Sequence, residues 1–271
     1  MDSTNFDYAI HSDFLIYWTG KDIDQKYDQG WYDIDKSKTS KTCDVTNLYL
    51  ERLNNILRFG LWMTSEDEQP IQLDGTRISI PTVPKTCFTE LKLSQSRRHA
   101  RRYGRLGIGV KRLFLFNRLG RPVVYYGLGQ PARDDVFLAK CASELSDKTL
   151  LNFFKPMNSS SALTYDFYAE SEWRILYFHE LLSRRLIIDP RDHTNKKEHD
   201  YFNALTSGEQ EKLKYLIPLD GWFSMIIYPS LGAKNKFRNK NRKASPSRRS
   251  RELKPFPTKE MGLRKAIGQL N

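Results

Sequence analysis

Apolar positions in this chain fall into short runs separated by long polar stretches, and the period of each run predicts an element. In DFLIYWTGKD the run FLIYW reads as a strand, with Leu15, Tyr17 and Thr19 on one face and Ile16 and Trp18 on the other. Residues 20–43 are charged and turn-rich, which predicts a surface loop. In NLYLERLNNILRFG, Leu48, Leu50, Leu53, Ile56 and Leu57 recur near helical spacing. Gly60 follows as a C′ residue, and Thr46 or Asn47 is a candidate cap. Residues 64–86 form a polar, proline-punctuated loop that leads into a short strand around Thr86 to Leu91. SQSRRHARRYG predicts an arginine-rich helix closed by Gly104, and GIGVKRLFLF and PVVYYG two strands separated by the turn NRLG. Residues 131–156 read as helical through Leu138, Leu145, Leu150 and Phe153. A further helical pattern lies near 208–216, and FSMIIY reads as a late strand.

The stretch YAESEWRIL sets Glu170 and Glu172 one residue apart. As a strand it puts Glu170, Glu172 and Arg174 on one face and Ser171, Trp173 and Ile175 on the other. As a helix it pairs Glu170 with Arg174 at i,i+4. Local sequence leaves both open. Strands and helices alternate without βαβ spacing, so the chain predicts an α+β fold with a small mixed or antiparallel sheet and flanking helices. No internal repeat is present.

Composition adds that 271 residues, 39% of them hydrophobic, are enough for one sizeable core. The longest apolar runs fall far short of the roughly 20 residues that span a bilayer. The N-terminal segment carries acid before its first lysine and lacks a signal-type apolar region. Cys43, Cys87 and Cys141 have no CxxC spacing, which argues against a disulfide framework or a zinc ribbon. Together these features predict a cytoplasmic protein with no membrane association.

Charge changes the picture more. The net charge is +12, yet residues 97–121 and 234–254 each contribute +9, leaving −6 for the remainder. An acidic remainder carrying two basic segments, the first inside a body over residues 1–232 and the second in a basic, flexible tail over 233–271, points to a polyanionic partner, RNA or DNA. A tail of this composition also reads as a disordered, solubilising segment. Arg97, Arg98, Arg101 and Arg102 lie on adjacent stripes of one predicted helix, suited to a pyrophosphate or a nucleic-acid backbone. The candidate nucleic-acid contacts are Arg97, Arg98 and Arg101 with Lys236, Arg238, Lys240, Arg242, Lys243, Arg248 and Arg249. Tyr103, Tyr125 and Tyr126 are suited either to base stacking or to a core position with a wet hydroxyl. His99 sits among the arginines. His193 and His199, six apart on a predicted loop with no cysteine beside them, give no reason to expect a metal. YGRLGIG lacks the order and context of a dinucleotide-binding glycine motif.

Taken in order, LIYWTG, LNNILRFGLWMT, CFTEL, RRHARRYGRLGIGVKR, GRPVVYYG, ESEWRI and IPLDGWFSMIIYPSL resemble the AbiGi-type abortive phage-resistance family of antitoxins, over about residues 13–231. That resemblance implies anti-phage defence and a cognate toxin or antitoxin partner. The early strand, the helix ending in IL-x-x-GL and the Glu-x-Glu segment also resemble, more distantly, DarT-like ADP-ribosyltransferases. This second resemblance implies NAD as substrate, with Tyr17 and Thr19 on the strand that lines its site, and the arginine helix adds Arg102 and Tyr103 as candidate cofactor contacts. Tyr17 stands where that class has a histidine. It implies further that Glu172 stabilises positive charge on the sugar as nicotinamide leaves, with Glu170 orienting or deprotonating the acceptor. Three alternatives stay open on the residues: structural ion pairing of the glutamates with Arg174, a non-catalytic antitoxin that binds a toxin or nucleic acid, and an adaptor docked by its tail. Tyr17 in place of histidine favours the antitoxin.

Overall fold

The computed structural model describes residues 14–27, 45–68, 70–73, 76–90, 96–126, 144–156, 170–243 and 259–262. The chain enters through β1 (Phe14–Thr19), followed by α1 (Lys21–Tyr27), α2 (Val45–Phe59) and β2 (Leu61–Thr64). A small hairpin, β3 (Ile71–Leu73) and β4 (Thr76–Ile78), precedes β5 (Lys85–Thr89). Next come α3 (Ser96–Tyr103), β6 (Leu106–Lys111), α4 (Arg112–Phe116), β7 (Arg121–Pro122) and β8 (Val124–Tyr126). A 3-10 turn over Lys148–Phe153 leads into β9 (Phe154–Pro156), and β10 (Glu172–Leu176) into α5 (His179–Ser183). The order closes with α6 (Lys196–Asn203), α7 (Ser207–Lys212), β11 (Leu213–Ile217), β12 (Phe223–Tyr228), α8 (Leu231–Lys243) and β13 (Lys259–Gly262). The fold is α+β, built on a nine-stranded and mostly antiparallel sheet.

One strand organises that sheet. β10 pairs along the whole of β5, from Glu172 opposite Thr89 to Leu176 opposite Lys85. The other edge of β5 is shared, with Lys85 meeting Thr64 of β2 and Thr89 meeting Ile16 of β1. The sheet therefore divides there into a β2–β11 arm and a β1–β6–β12–β13 arm.

Alternation along β1 assigns the two faces. Leu15 joins the main core with Leu53 and Ile56 of α2, Phe88, Ile108, Val110 and Ile226. Ile16 and Trp18 point the other way, into a second cluster with Ala100 of α3 and Met225 and Ile227 of β12. Gly109 lies opposite Ile16 on this second face, and a Cβ there would come within 2.7 Å of the Met225 Cβ. The glycines of GIG thus let side chains from both neighbouring strands close over β6. Gly104, at φ +109, ends α3 against the backbone of Thr19 and Gly20, which fixes the arginine helix to the end of β1.

Several expectations are corrected. LFLF is part of α4 rather than a strand, because only Phe114 and Leu115 turn inward while Leu113 and Phe116 stay exposed. Within 20–43, residues 21–27 form α1, which buries Ile23 and ion-pairs Asp24 with Arg105 at 2.6 Å. The polar loop of 64–86 contains the β3–β4 hairpin. Of 131–156 the described part is a 3-10 turn and a strand, and the pattern at 208–216 divides into α7 and β11. Thr46 and Asn47 lie inside α2 rather than capping it. The 232/233 boundary falls inside α8, which buries Ala233 and Phe237 against the main core.

Candidate functional site

β10 begins only at Glu172. Ser171 takes a left-handed conformation, φ +44, which is costly for a residue with a Cβ and ends the strand alternation before it reaches Glu170. Even so, both carboxylates converge. Lys155 Nζ donates to Glu170 Oε2 and to Glu172 Oε2, each at 2.7 Å. Arg174 Nε donates to Glu172 Oε1 at 2.8 Å, and the other end of its guanidinium pairs with Glu68 Oε1 at 2.8 Å. Glu68 in turn pairs with Lys85 at 2.8 Å. On the far side Glu170 Oε1 accepts from the Tyr103 hydroxyl and faces Arg102 Nε at 3.4 Å. The backbone N–H of Glu172 donates to the Tyr125 hydroxyl at 2.8 Å.

The result is a line of alternating charge from Lys85 to Arg102, buried at its centre, with Glu170 only 1% and Glu172 only 6% exposed. Burial opposes ionisation of Glu172, but Arg174 and Lys155 overcome it and hold its carboxyl well below the usual carboxylate range. Burial likewise opposes the charge on Lys155, and Glu172 and Glu170 outweigh it, raising the ammonium above its ordinary value. Cys87 lies opposite Arg174 on the same sheet face and is exposed.

α3 covers this site with a sheet-facing side made by Ser96, His99, Ala100 and Tyr103, spaced i, i+3, i+4 and i+7. His99 is 2% exposed, and neither of its ring nitrogens has a hydrogen-bond partner among the described residues. Burial lowers its pKa to about 4, against the pull of Glu170 in the opposite direction. Since the unfolded chain takes up this proton near pH 6.5 and the folded chain only near 4, His99 costs stability as pH falls through that window. The full loss is on the order of 3 kcal/mol. His99→Leu is expected to flatten the fall in melting temperature over this range, as measured by thermal unfolding at a series of pH values.

The structure brings Glu170, Glu172, Arg102 and Tyr103 together. Tyr17 and Thr19 lie on the opposite face of the sheet, where Tyr17 packs against the main core. Thr19 Oγ1 accepts from Arg52 at 3.3 Å, and Arg52 also makes two 2.7 Å bonds to Asp22. Lys155, Arg174, His99 and Glu68 complete the carboxylate site. Arg174 was visible through strand alternation, whereas Lys155 carried no signal, since its segment read as helical.

The basic residues divide between the two faces. Arg97 and Arg98 are exposed on α3, and Arg101 is partly buried. Lys236, Arg238 and Lys240 are exposed on α8, which docks on the opposite face through Phe237 against Tyr228. Arg242 and Lys243 belong to the last turn of α8. Arg248 and Arg249, like Cys43 and Cys141, lie outside the described residues.

No family model matches the chain, and neither a curated protein nor a solved structure matches it. Among the described residues no three His, Cys, Asp or Glu side chains converge as a metal site. No helix among them is long and apolar enough to cross a membrane.

Proposed function

We propose that the chain is a cytoplasmic anti-phage defence protein with an ADP-ribosyltransferase-like body, acting on NAD and on a nucleic-acid or nucleic-acid-bound acceptor. The observation that carries this reading is the convergence of two buried carboxylates on a single positive charge, the Lys155 ammonium, at 2.7 Å each. A position that holds one cation so closely is suited to stabilise another. NAD supplies the bond between ribose C1′ and the nicotinamide nitrogen. When it breaks, the electron pair leaves with nicotinamide and positive charge grows on the sugar, which the Glu172 carboxylate would stabilise. Glu170, held by Tyr103 and Arg102, would take the proton of the acceptor atom that bonds to C1′. The unpartnered nitrogens of His99 lie beside this pair as donor and acceptor for a polar ligand. Calorimetric titration with NAD tests the reading, with a saturable heat that Glu170→Ala weakens as the expected result.

A second reading, a non-catalytic antitoxin that binds a cognate toxin or nucleic acid, is favoured by the placement of Tyr17 and Thr19 on the opposite face from the glutamates. Both readings include a polyanion, for which α8 offers exposed Lys236, Arg238 and Lys240. Changing these three to glutamine is expected to reduce the slope of log K against log salt for RNA or DNA by roughly two to three, as counterion release dictates. An unchanged slope would exclude α8 from the contact.

A further inference from the structure

We propose that His193, His199 and Asn203 form a surface site for a divalent transition metal of the zinc class, independent of the glutamate site. Their sequence spacing looked poor because a loop was expected, but residues 196–203 are helical, so His199 and Asn203 stand one turn apart on one face of α6. The preceding turn is folded back onto that face by its own bonds. Asn195 Nδ2 donates to Asp189 O at 3.0 Å, and the backbone N–H of Asn195 donates to Asp192 O at 3.0 Å.

This brings His193 Nδ1 to 3.4 Å from His199 Nε2, with the two rings nearly perpendicular at 79°. The Asn203 amide lies 3.0 Å from the same Nε2. Zinc bonds of about 2.0–2.1 Å at angles of roughly 90–110° place adjacent ligand atoms about 2.9–3.4 Å apart. Both separations fall in that range.

The tautomer of His199 is set by its other nitrogen. Nδ1 lies 3.0 Å from Pro190 O, and a carbonyl only accepts, so Nδ1 carries the proton and Nε2 presents its lone pair. A carbonyl held on the far ring nitrogen is the outer contact that orients metal-binding histidines. His193 presents a lone pair at Nδ1 in its Nε2–H form, and a half-turn of the Asn203 amide exchanges its nitrogen for oxygen. The Asp192 carboxylate interacts electrostatically with both imidazoles and favours a dication beside them. Solvent molecules would complete the coordination on the exposed side. A metal held here would tie the 189–195 turn to α6, whose Tyr201 stacks on Phe59 at 4.2 Å.

The test is titration of the full-length protein with zinc ion by calorimetry, together with thermal unfolding, for the wild type, His193→Gln, His199→Gln and the double variant. The wild type is expected to bind one ion and to melt at a higher temperature with zinc present. Loss of an outer contact alone costs roughly 10- to 100-fold in affinity, so loss of a ligand should abolish saturable binding in either single variant. Because His193 is exposed and His199 partly so, all variants are expected to fold. Absence of binding at millimolar zinc, or equal binding by the double variant, would overturn the assignment and leave the pair as an imidazole hydrogen bond only.

Discussion

Glu172→Gln is expected to melt well below the wild type and to lose NAD-dependent turnover. The stability effect follows from burial. The carboxylate is the shared partner of Arg174 and Lys155, both largely shielded from water, and glutamine leaves Arg174 with Glu68 and Lys155 with Glu170 as their remaining counter-charges. Removing one member of a buried ion pair costs about 3–5 kcal/mol. For a chain of this size that corresponds to a fall on the order of 10 °C in melting temperature. The pH dependence gives an internal check. The folded-state pKa of Glu172 is depressed, so its contribution is complete above the unfolded carboxylate value, near 4.3, and is lost as pH falls toward the folded value. The glutamine variant should lack that part of the acid limb, which thermal unfolding between neutral and acidic pH will reveal. Turnover should fall by about 100- to 1,000-fold, the usual effect of removing one preorganised electrostatic group.

Lys155→Met is expected to have a comparable effect on stability, with a deficit that begins to shrink at a higher pH. Without the ammonium the buried pair keeps only Arg174 on Glu172 and the partly exposed Arg102 on Glu170, and Glu170, the less compensated, is expected to take up a proton. The carboxyl that does so has a folded pKa raised above its unfolded value, so its relative stabilisation is present at low pH and lost as pH rises. At neutral pH the loss is about 3–5 kcal/mol, since a buried network has lost its central charge. Urea midpoints at pH near 7 and near 5 should therefore differ less from wild type at the lower pH. A deficit that stays constant with pH would mean that the methionine disturbs packing and leaves the carboxylates unaffected.

Much of the framework follows from period alone. The two faces of FLIYW, the helix ending at Gly60 and the strand FSMIIY are visible because each has a buried face that demands regular spacing. LFLF carries no such signal, since a run of four apolar residues fits a buried strand and one helical turn equally well. The 21–27 helix was hidden by its charges, several of which make tertiary pairs, such as Asp22 with Arg52. The alternation of Glu172 with Arg174 was legible. The kink at Ser171 was not, because a positive φ at serine is imposed by the surrounding structure and has no local signature. Lys155 was invisible for a related reason. Its importance comes from the parallel pairing of β9 with β8, a long-range contact that no local pattern encodes.

The site itself divides in the same way. Residues on one helix, Arg102 and Tyr103, arrive together because helical spacing keeps them near one another. Tyr17 and Thr19 share a face with each other but not with the glutamates. Ile16, not Tyr17, lies opposite Thr89, which pairs with Glu172 on its other side. Strand register therefore decides the composition of this site, and register was not readable from one chain.

The most direct test of the carboxylate account is nicotinamide release from NAD by the full-length protein. It should be assayed beside Glu172→Gln, with RNA or DNA present, at a temperature where both proteins are folded. The account predicts release by the wild type and a loss of about 100-fold or more in the variant. No release by the wild type, or equal release by both proteins, would contradict it.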